Sequence, residues 1–365
     1  RIYSQTHKPV VDQDEVVGHA VRAVYMYSGM ADVAKETNDK KLKKACKNLW
    51  ENLTQKRMYI TGGIGPTHHN EGFTFDYDLP NETAYAETCA SIALANWAHR
   101  MFHMEPSSEY IDVLERTIYN GIISGLNLNG DRFFYSNRLA ALPKEIEANP
   151  HGFSLQRQPW FDVACCPTNI VRFLPSIPGF IYSKNNAGVS INLYIQSSVV
   201  IGFKNAEVKI NQKNSQPWDD KCTIEIDNEY EKEIKLHLRI PHWSKKIKVK
   251  INNKLQKVSI FKGYASLSIP ANKKSKLEVD LGMDISFIKS NPDVRQNFGK
   301  LAVQRGPIVY CMEEHDNGPD LHKILINKKS LEPKNGQLNN YKYTFISGIG
   351  KKAEKSDWNK KLYSK

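Results

Sequence analysis

Apolar side chains recur at spacings of three and four between Asp14 and Ile181, and at a spacing of two after Ser183. In the first stretch Val17, Ala20, Val21, Val24 and Tyr27 share one stripe. Leu42, Cys46, Leu49 and Leu53 form a second, and Val113, Ile118, Ile122 and Leu126 a third, the periods of helices with one buried face. Each stripe ends near punctuation: Thr37–Asn38, Thr61–Gly65, Pro106 and Asn127–Gly130. A further helix is expected from about Cys89 to Phe102. Another should open at Pro167, since proline suits a first helical turn. Two connections, 57–82 and 130–166, are far longer than usual, and such loops are either functional or disordered. Their aromatic residues (Tyr59, Phe73, Phe75, Tyr77, Phe133, Phe134, Tyr135, Trp160, Phe161) argue for order.

Beyond Ser183 short alternating runs such as EVKINQ, CTIEIDN, EIKLHLRIP, KIKVKIN and KLEVDL are separated by Asn, Gly, Pro and Lys clusters, the pattern of a β-sandwich. The texture changes again near Met283–Asp293, and LAVQRGPIVYCME begins another small β unit. We therefore expect a multidomain α-then-β chain: residues 1–182 helical, 183–286 a β-sandwich, and 287–365 a second, incomplete β-sandwich. A length of 365 residues allows two or three domains, and 40% hydrophobic with 25% charged residues excludes wholesale disorder. No apolar run is long enough to cross a bilayer, so no membrane partner is expected. The opening residues, from Arg1, are not a signal peptide and read as the interior of a longer chain. The compartment is left open between cytoplasm and periplasm, and so is assembly into a homo-oligomer.

The net charge of +12 is uneven: residues 1–182 balance to −2 and the remainder to +14. A basic half can signal nucleic acid. Here the lysines alternate with apolar residues in strand-like runs, which puts them on a solvated face that protects sheet edges. No nucleic-acid-binding motif accompanies them, and no nucleic-acid partner is expected.

Cysteine supplies the candidate chemistry. Cys46, Cys222 and Cys311 sit in apolar patterns and read as small buried hydrophobes. Cys165 and Cys166 are adjacent, directly before the helix expected at Pro167, where a helix N-terminus favours the thiolate. Cys89 lies two residues after Glu87. Three thiolates and one carboxylate are an acceptable zinc shell, although the spacing is no standard zinc-finger pattern. Ordinary buried cysteines and a strained vicinal disulfide are the other readings. Residues two apart on a helix point about 200° apart, so Glu87 and Cys89 can share a metal only where the backbone is entering the helix.

The segments YITGGIG, HNEGFTFDYDLPNETAYAETCA, ANWAHRMF, YIDVLERTIYNGIISGLNLNGDRFFYSNRL, QPWFDVACCPTNIVRFL and QRGPIVYCME closely resemble glycoside hydrolase family 127, the zinc-thiolate β-L-arabinofuranosidases. The resemblance implies part of an (α/α)₆ toroid followed by β-sandwich domains. It further implies a Zn²⁺ ion held by Glu87, Cys89, Cys165 and Cys166, with Cys165 also the nucleophile. Glu71 falls at the family's acid/base position, and His19 and Tyr135 at sugar-contacting positions. A full toroid needs twelve helices, and this chain supplies about half.

The residues themselves admit plainer roles. Glu71 could be a solvated loop carboxylate, and its acid role requires partial burial to keep it protonated. His19 could be a core histidine and Tyr135 a packing residue. Asp76, Asp78 and Glu82 read as caps and surface charges, TGGIG as a tight turn, and His68, His69 and His151 as exposed loop histidines. Trp160 could be a sugar platform or pack beneath the cysteine loop. Two function classes follow: a retaining exo-glycosidase releasing β-L-arabinofuranose from arabino-oligosaccharides or glycoconjugates, or a non-catalytic carbohydrate-binding scaffold with a structural Cys₃Glu zinc site.

Overall fold

The computed structural model describes residues 1–144, 154–185, 188–203, 206–353 and 362–363. Among the described residues, five helices of eight residues or more build the first half: α1 (Ala20–Thr37), α2 (Lys40–Lys56), α3 (Thr88–Met104), α4 (Ser108–Thr117) and α5 (Cys165–Phe173). The α1–α2 turn follows from local chemistry. Asn38 takes the left-handed conformation, and the Asp39 carboxylate caps α2 by accepting from the Lys41 and Leu42 amides.

Helix α3 is apolar on nearly every side. Ile92, Leu94, Trp97 and Met101 are fully buried, and its alanines let α1 and α4 approach closely. An aromatic cluster locks the four helices together. Trp97 packs 5.2 Å from Tyr27 of α1 and 5.0 Å from Trp50 of α2, which lies 5.0 Å from Tyr110 of α4. Such ring pairs add about 0.5–1.5 kcal/mol each beyond the area they bury. The third apolar stripe begins in α4 and continues past it: a π-helical turn (Ile118–Ile122) and a 3₁₀ turn (Ile123–Gly125) prolong the helix.

The period-two half forms two larger sheets. One contains β1 (Tyr182–Lys184), β2 (Gly188–Ile191), β6 (Ile234–Arg239), β10 (Tyr264–Ile269) and β9 (Ile260–Phe261), in that order. The other runs β3 (Ser197–Phe203), β4 (Ala206–Asn214), β5 (Lys221–Asn228), β11 (Lys273–Asp280), β7 (Lys248–Ile251) and β8 (Lys254–Leu255). All described pairings are antiparallel except β2 with β6. Alternate residues of both sheets share one buried cluster, with Val208, Ile224, Ile226, Leu277 and Val279 from one and Leu236, Leu238, Leu267 and Ile269 from the other. Lysines occupy the opposite face and pair across strands, Lys209 with Glu229 and Lys213 with Glu225. This is the solvated lysine face that the alternation implied.

The texture change after Met283 coincides with new sheets. β12 (Ile285–Ile288), β13 (Ala302–Arg305) and β14 (Ile308–Tyr310) form one, so residues 285 and 286 pair forward rather than with the larger sheets. β15 (Ile324–Ile326) pairs β18 (Gly350–Lys352), and β16 (Glu332–Leu338) pairs β17 (Tyr341–Ser347). Among the described residues from Ile285 onward only Val294, Gln304, Gly306, Pro307 and Thr344 are buried. Cys311, expected inside, is exposed because it follows the last ladder residue of β14. Cys46 and Cys222 are buried as expected.

Two polar contacts seat the later units on the helices. Asn120, in the π turn, donates to Pro307 O and accepts from Val309 N, each at 2.8 Å. Arg239, fully buried at the end of β6, donates to Asp112 (2.6 Å) and Glu115 of α4, and Trp243 Nε1 donates to Glu115 Oε2 at 2.9 Å.

Candidate metal centre and active site

Three chain segments meet at the N-terminal ends of α3 and α5. Ala86 has φ +38 and turns the chain into Glu87, the N-cap of α3, whose backbone is extended (ψ 139). Glu87 is therefore outside the helical spiral and Cys89 is its second residue, so both side chains reach the same space. The 130–137 loop is stitched to this end. Thr88 N donates to Tyr135 O (2.9 Å), Thr88 Oγ1 to Phe134 O (2.7 Å), and Asn137 Nδ2 to Ala86 O (3.0 Å). Tyr135 is thereby set beside Glu87. Cys165 and Cys166 form the first turn of α5 rather than preceding it, and Pro167 is the third helical residue, still inside the turn where its missing N–H costs nothing.

The four expected ligands converge. Their donor atoms all lie within 4.8 Å of one another. Cys89 Sγ is 3.5 Å from Cys166 Sγ, Cys165 Sγ is 3.9 Å from Cys166 Sγ, and Glu87 Oε1 is 3.6 Å and 3.7 Å from the Cys165 and Cys166 sulfurs. A tetrahedral zinc with bonds of about 2.3 Å to sulfur and 2.0–2.2 Å to oxygen sets edges of about 3.8 Å (S–S) and 3.6 Å (S–O). These four edges thus match within a few tenths of an ångström. The charges point the same way. Burial, and then the nearby Cys165 and Glu71 charges, push the Glu87 carboxyl up to about 8, and its Oε2 is buried without a partner. Hydrogen bonding with Cys166, then with Cys89 and Tyr135, holds the Cys165 thiol well below its ordinary range, while Cys89 and Cys166 are driven up. Without a cation these groups cannot all ionise. The donor set fits a divalent, thiophilic metal.

Glu71 and His19 are brought up by a second pair of loops. Asn70 (φ 56) and Glu71 (φ 48) are left-handed, and a Cβ at Gly72 would fall 2.5 Å from Gly18 O, so only glycine permits the approach. The strap closes with Phe73 N donating to Gly18 O at 2.9 Å and a bridge between His19 and Gly72. His19, the N-cap of α1, has a largely buried side chain whose Nε2 lies 2.8 Å from Glu71 Oε2. Tyr85 Oη donates to Glu71 Oε1 at 2.9 Å. The bond to His19, ahead of that from Tyr85, holds the Glu71 carboxyl below its usual range despite partial burial. The partial burial that an acid role requires is present, and the two hydrogen bonds act against it. Tyr135 is buried, and its Oη is 3.4 Å from Cys165 Sγ.

All seven residues singled out from the sequence therefore belong to one site. Tyr85 was missed, although it stands two positions before Glu87 in AYAETCAS. Nothing in its spacing marks it, because the bond to Glu71 depends on the fold of the 67–73 loop. Asp76 lies elsewhere, bound by Asn52, Lys56 and Arg57. His68 stacks edgewise on Tyr85 at 5.4 Å, Trp160 is 58% exposed rather than packed under the loop, and His151 lies outside the described residues.

Models of three β-L-arabinofuranosidase domains match in register: the GH127 catalytic domain over residues 1–179, the GH127 middle domain over 188–283, and the glycoside hydrolase family 127 C-terminal domain over 285–349. The chain belongs to glycoside hydrolase family 127. Among GH127 structures, a β-L-arabinofuranosidase from Geobacillus stearothermophilus T6 superposes with a TM-score of 0.96 at 43% identity, covering 100% of this chain and 58% of that one. A second GH127 β-arabinofuranosidase gives 0.91 at 38% identity, covering 98% and 58%. A curated relative, the non-reducing end β-L-arabinofuranosidase of Bifidobacterium longum subsp. longum, is 37% identical over 325 residues, 87% of this chain and 49% of the relative. The chain thus spans about half the length of its GH127 relatives. A helical first part followed by β-sheet domains is the arrangement of these structures.

Proposed function

We propose that this chain forms part of a retaining exo-glycosidase that releases β-L-arabinofuranose, with Cys165 as nucleophile and Glu71 as acid/base. Its helical half is read as part of an (α/α)₆ toroid and its larger sheets as a β-sandwich. Cys165 carries the reading: of the three clustered cysteines it alone is exposed, while Cys89 and Cys166 are buried. A cysteine that served only to hold a metal has no need of an exposed position. The Cys165 sulfur attacks the anomeric carbon as Glu71 gives a proton to the departing oxygen, so a C–S bond forms while the C–O bond breaks. Water then attacks the same carbon, Glu71 takes its proton, and the thiolate departs. The bonded Glu71 carboxylate is the form the second step needs. A sugar hydroxyl competing for His19 frees Oε2 to carry the proton needed in the first. Glu87, Cys89, Cys165 and Cys166 would hold zinc, which supplies a charge that keeps the sulfurs deprotonated and oriented.

Support comes from the family relationship and from the β-L-arabinofuranosidases among its relatives. The scaffold reading, a purely structural zinc site, leaves both the exposed position of Cys165 and the nearby Glu71 without a purpose. The deciding experiment uses the full-length protein and an iodoacetamide- or epoxide-bearing L-arabinofuranose analogue. Peptide mapping is expected to find the label on Cys165 and none on Cys166. Label on Glu71 or another carboxylate would make the thiolate mechanism wrong.

A further inference from the structure

Tyr85 is buried and lies between the two reacting groups without being a metal ligand. Its ring is clamped by His68 at 5.4 Å and by Tyr135 at 5.9 Å. Its hydroxyl donates to Glu71 Oε1 at 2.9 Å, and its ring packs against that of Tyr135, whose own Oη is 3.4 Å from Cys165 Sγ. The order Glu71–Tyr85–Tyr135–Cys165 is therefore an unbroken line of contacts from acid/base to nucleophile. A phenol carries one proton. Because Tyr85 gives that proton to Oε1, this oxygen is an acceptor. The catalytic proton is left to Oε2, the oxygen that faces His19.

We propose that Tyr85 is a positioning residue for the glycosidase reaction: its hydroxyl fixes the plane of the Glu71 carboxyl, reserves Oε2 for proton transfer, and through Tyr135 holds the carboxyl at a set distance from Cys165. This rests on the functional reading above. A retaining reaction tolerates little variation in the distance between acid/base and nucleophile, and a misplacement of about 1 Å can cost two orders of magnitude in rate. Two rigid rings hold that spacing better than flexible side chains would.

The test is Tyr85→Phe in the full-length protein, assayed on an alkyl and on a nitrophenyl β-L-arabinofuranoside. Loss of a hydrogen bond to a charged group should lower kcat on the alkyl substrate about 10- to 100-fold, with KM within about twofold. The activated aryl substrate, which needs little protonation, should lose less than about threefold. In a Glu71→Gln background the same change should add less than about twofold, because Tyr85 acts through the carboxyl. Zinc content and thermal midpoint should match wild type, since the ring remains. Equal losses on both substrates, a raised KM with kcat intact, an unfolded variant, or a further tenfold loss in the Glu71→Gln background would each overturn the assignment. If wild type hydrolyses neither arabinofuranoside, the functional reading fails and takes this proposal with it. An active wild type with an unaffected Tyr85→Phe variant overturns the Tyr85 role alone.

Discussion

Among the described residues, acidic groups are buried in two places and treated in opposite ways. At the seam between α4 and the β6 sheet, Asp112 and Glu115 meet the fully buried Arg239, and Trp243 and the His242 amide complete their bonds. Burial alone would raise the Asp112 carboxyl, but His242 and Arg239 outweigh it and hold it low. At the end of α3, Glu87 is equally buried, yet it faces three sulfurs and another carboxylate, is pushed up to about 8, and keeps one oxygen without a partner. A buried charge whose partners are all present is structural. One surrounded by groups of its own sign is a place that a cation could fill, and so a candidate site.

Metal removal should separate the two places most sharply. Stripping the full-length protein with a strong chelator should lower its thermal midpoint by roughly 10 °C, as expected for loss of a ligand held near a thousandfold above its dissociation constant. Zinc should restore the midpoint. The seam has every partner in the chain itself and should be indifferent to the metal. A midpoint unmoved by chelation, with no metal found by elemental analysis, would mean that the cluster holds none.

The seam breaks differently. Arg239→Met leaves Asp112 and Glu115 buried without their cation and should cost about 3–5 kcal/mol in urea unfolding. Adding Asp112→Leu and Glu115→Met should return much of that loss, because an apolar cluster can replace a satisfied ionic one. A loss below about 1 kcal/mol for Arg239→Met would show that water reaches the seam.

The same contrast governs what the sequence could reveal. Helices α1 to α4 and the alternating strands follow from local periods, and Phe133, Tyr135 and Phe161, among the described loop residues, pack together beside the site. The ligand set was legible because thiols and carboxylates declare their chemistry, although the N-cap geometry that lets Glu87 and Cys89 converge was only a condition to be met. What stayed hidden depends on contacts distant in sequence. Arg239 and Glu115 are 124 positions apart. The Tyr85 and His19 bonds to Glu71 are set by a loop whose left-handed residues, Asn70 and Glu71, carry no glycine to announce them.

The smallest effect concerns a third carboxylate, on the surface of the same seam. Glu105, at the end of α3, bonds Lys47 of α2 and, at 2.9 Å, Lys262 of the β9–β10 turn. The Lys47 bond, then that to Lys262, lowers its carboxyl from 4.5 to about 2. A carboxyl lowered on folding adds stability that is fully present above its unfolded value and fades as pH falls from about 4.5 toward 2. Glu105 is 39% exposed, so solvent screens the pair and the gain stays within the ~0–1 kcal/mol of surface ion pairs. Glu105→Gln should therefore lower the thermal midpoint slightly at pH 7, and by less at pH 3. Added salt at 1 M should shrink the difference further, whereas the buried Arg239 cluster should hardly respond. A Glu105→Gln effect that grows as pH falls would reverse the sign argued here.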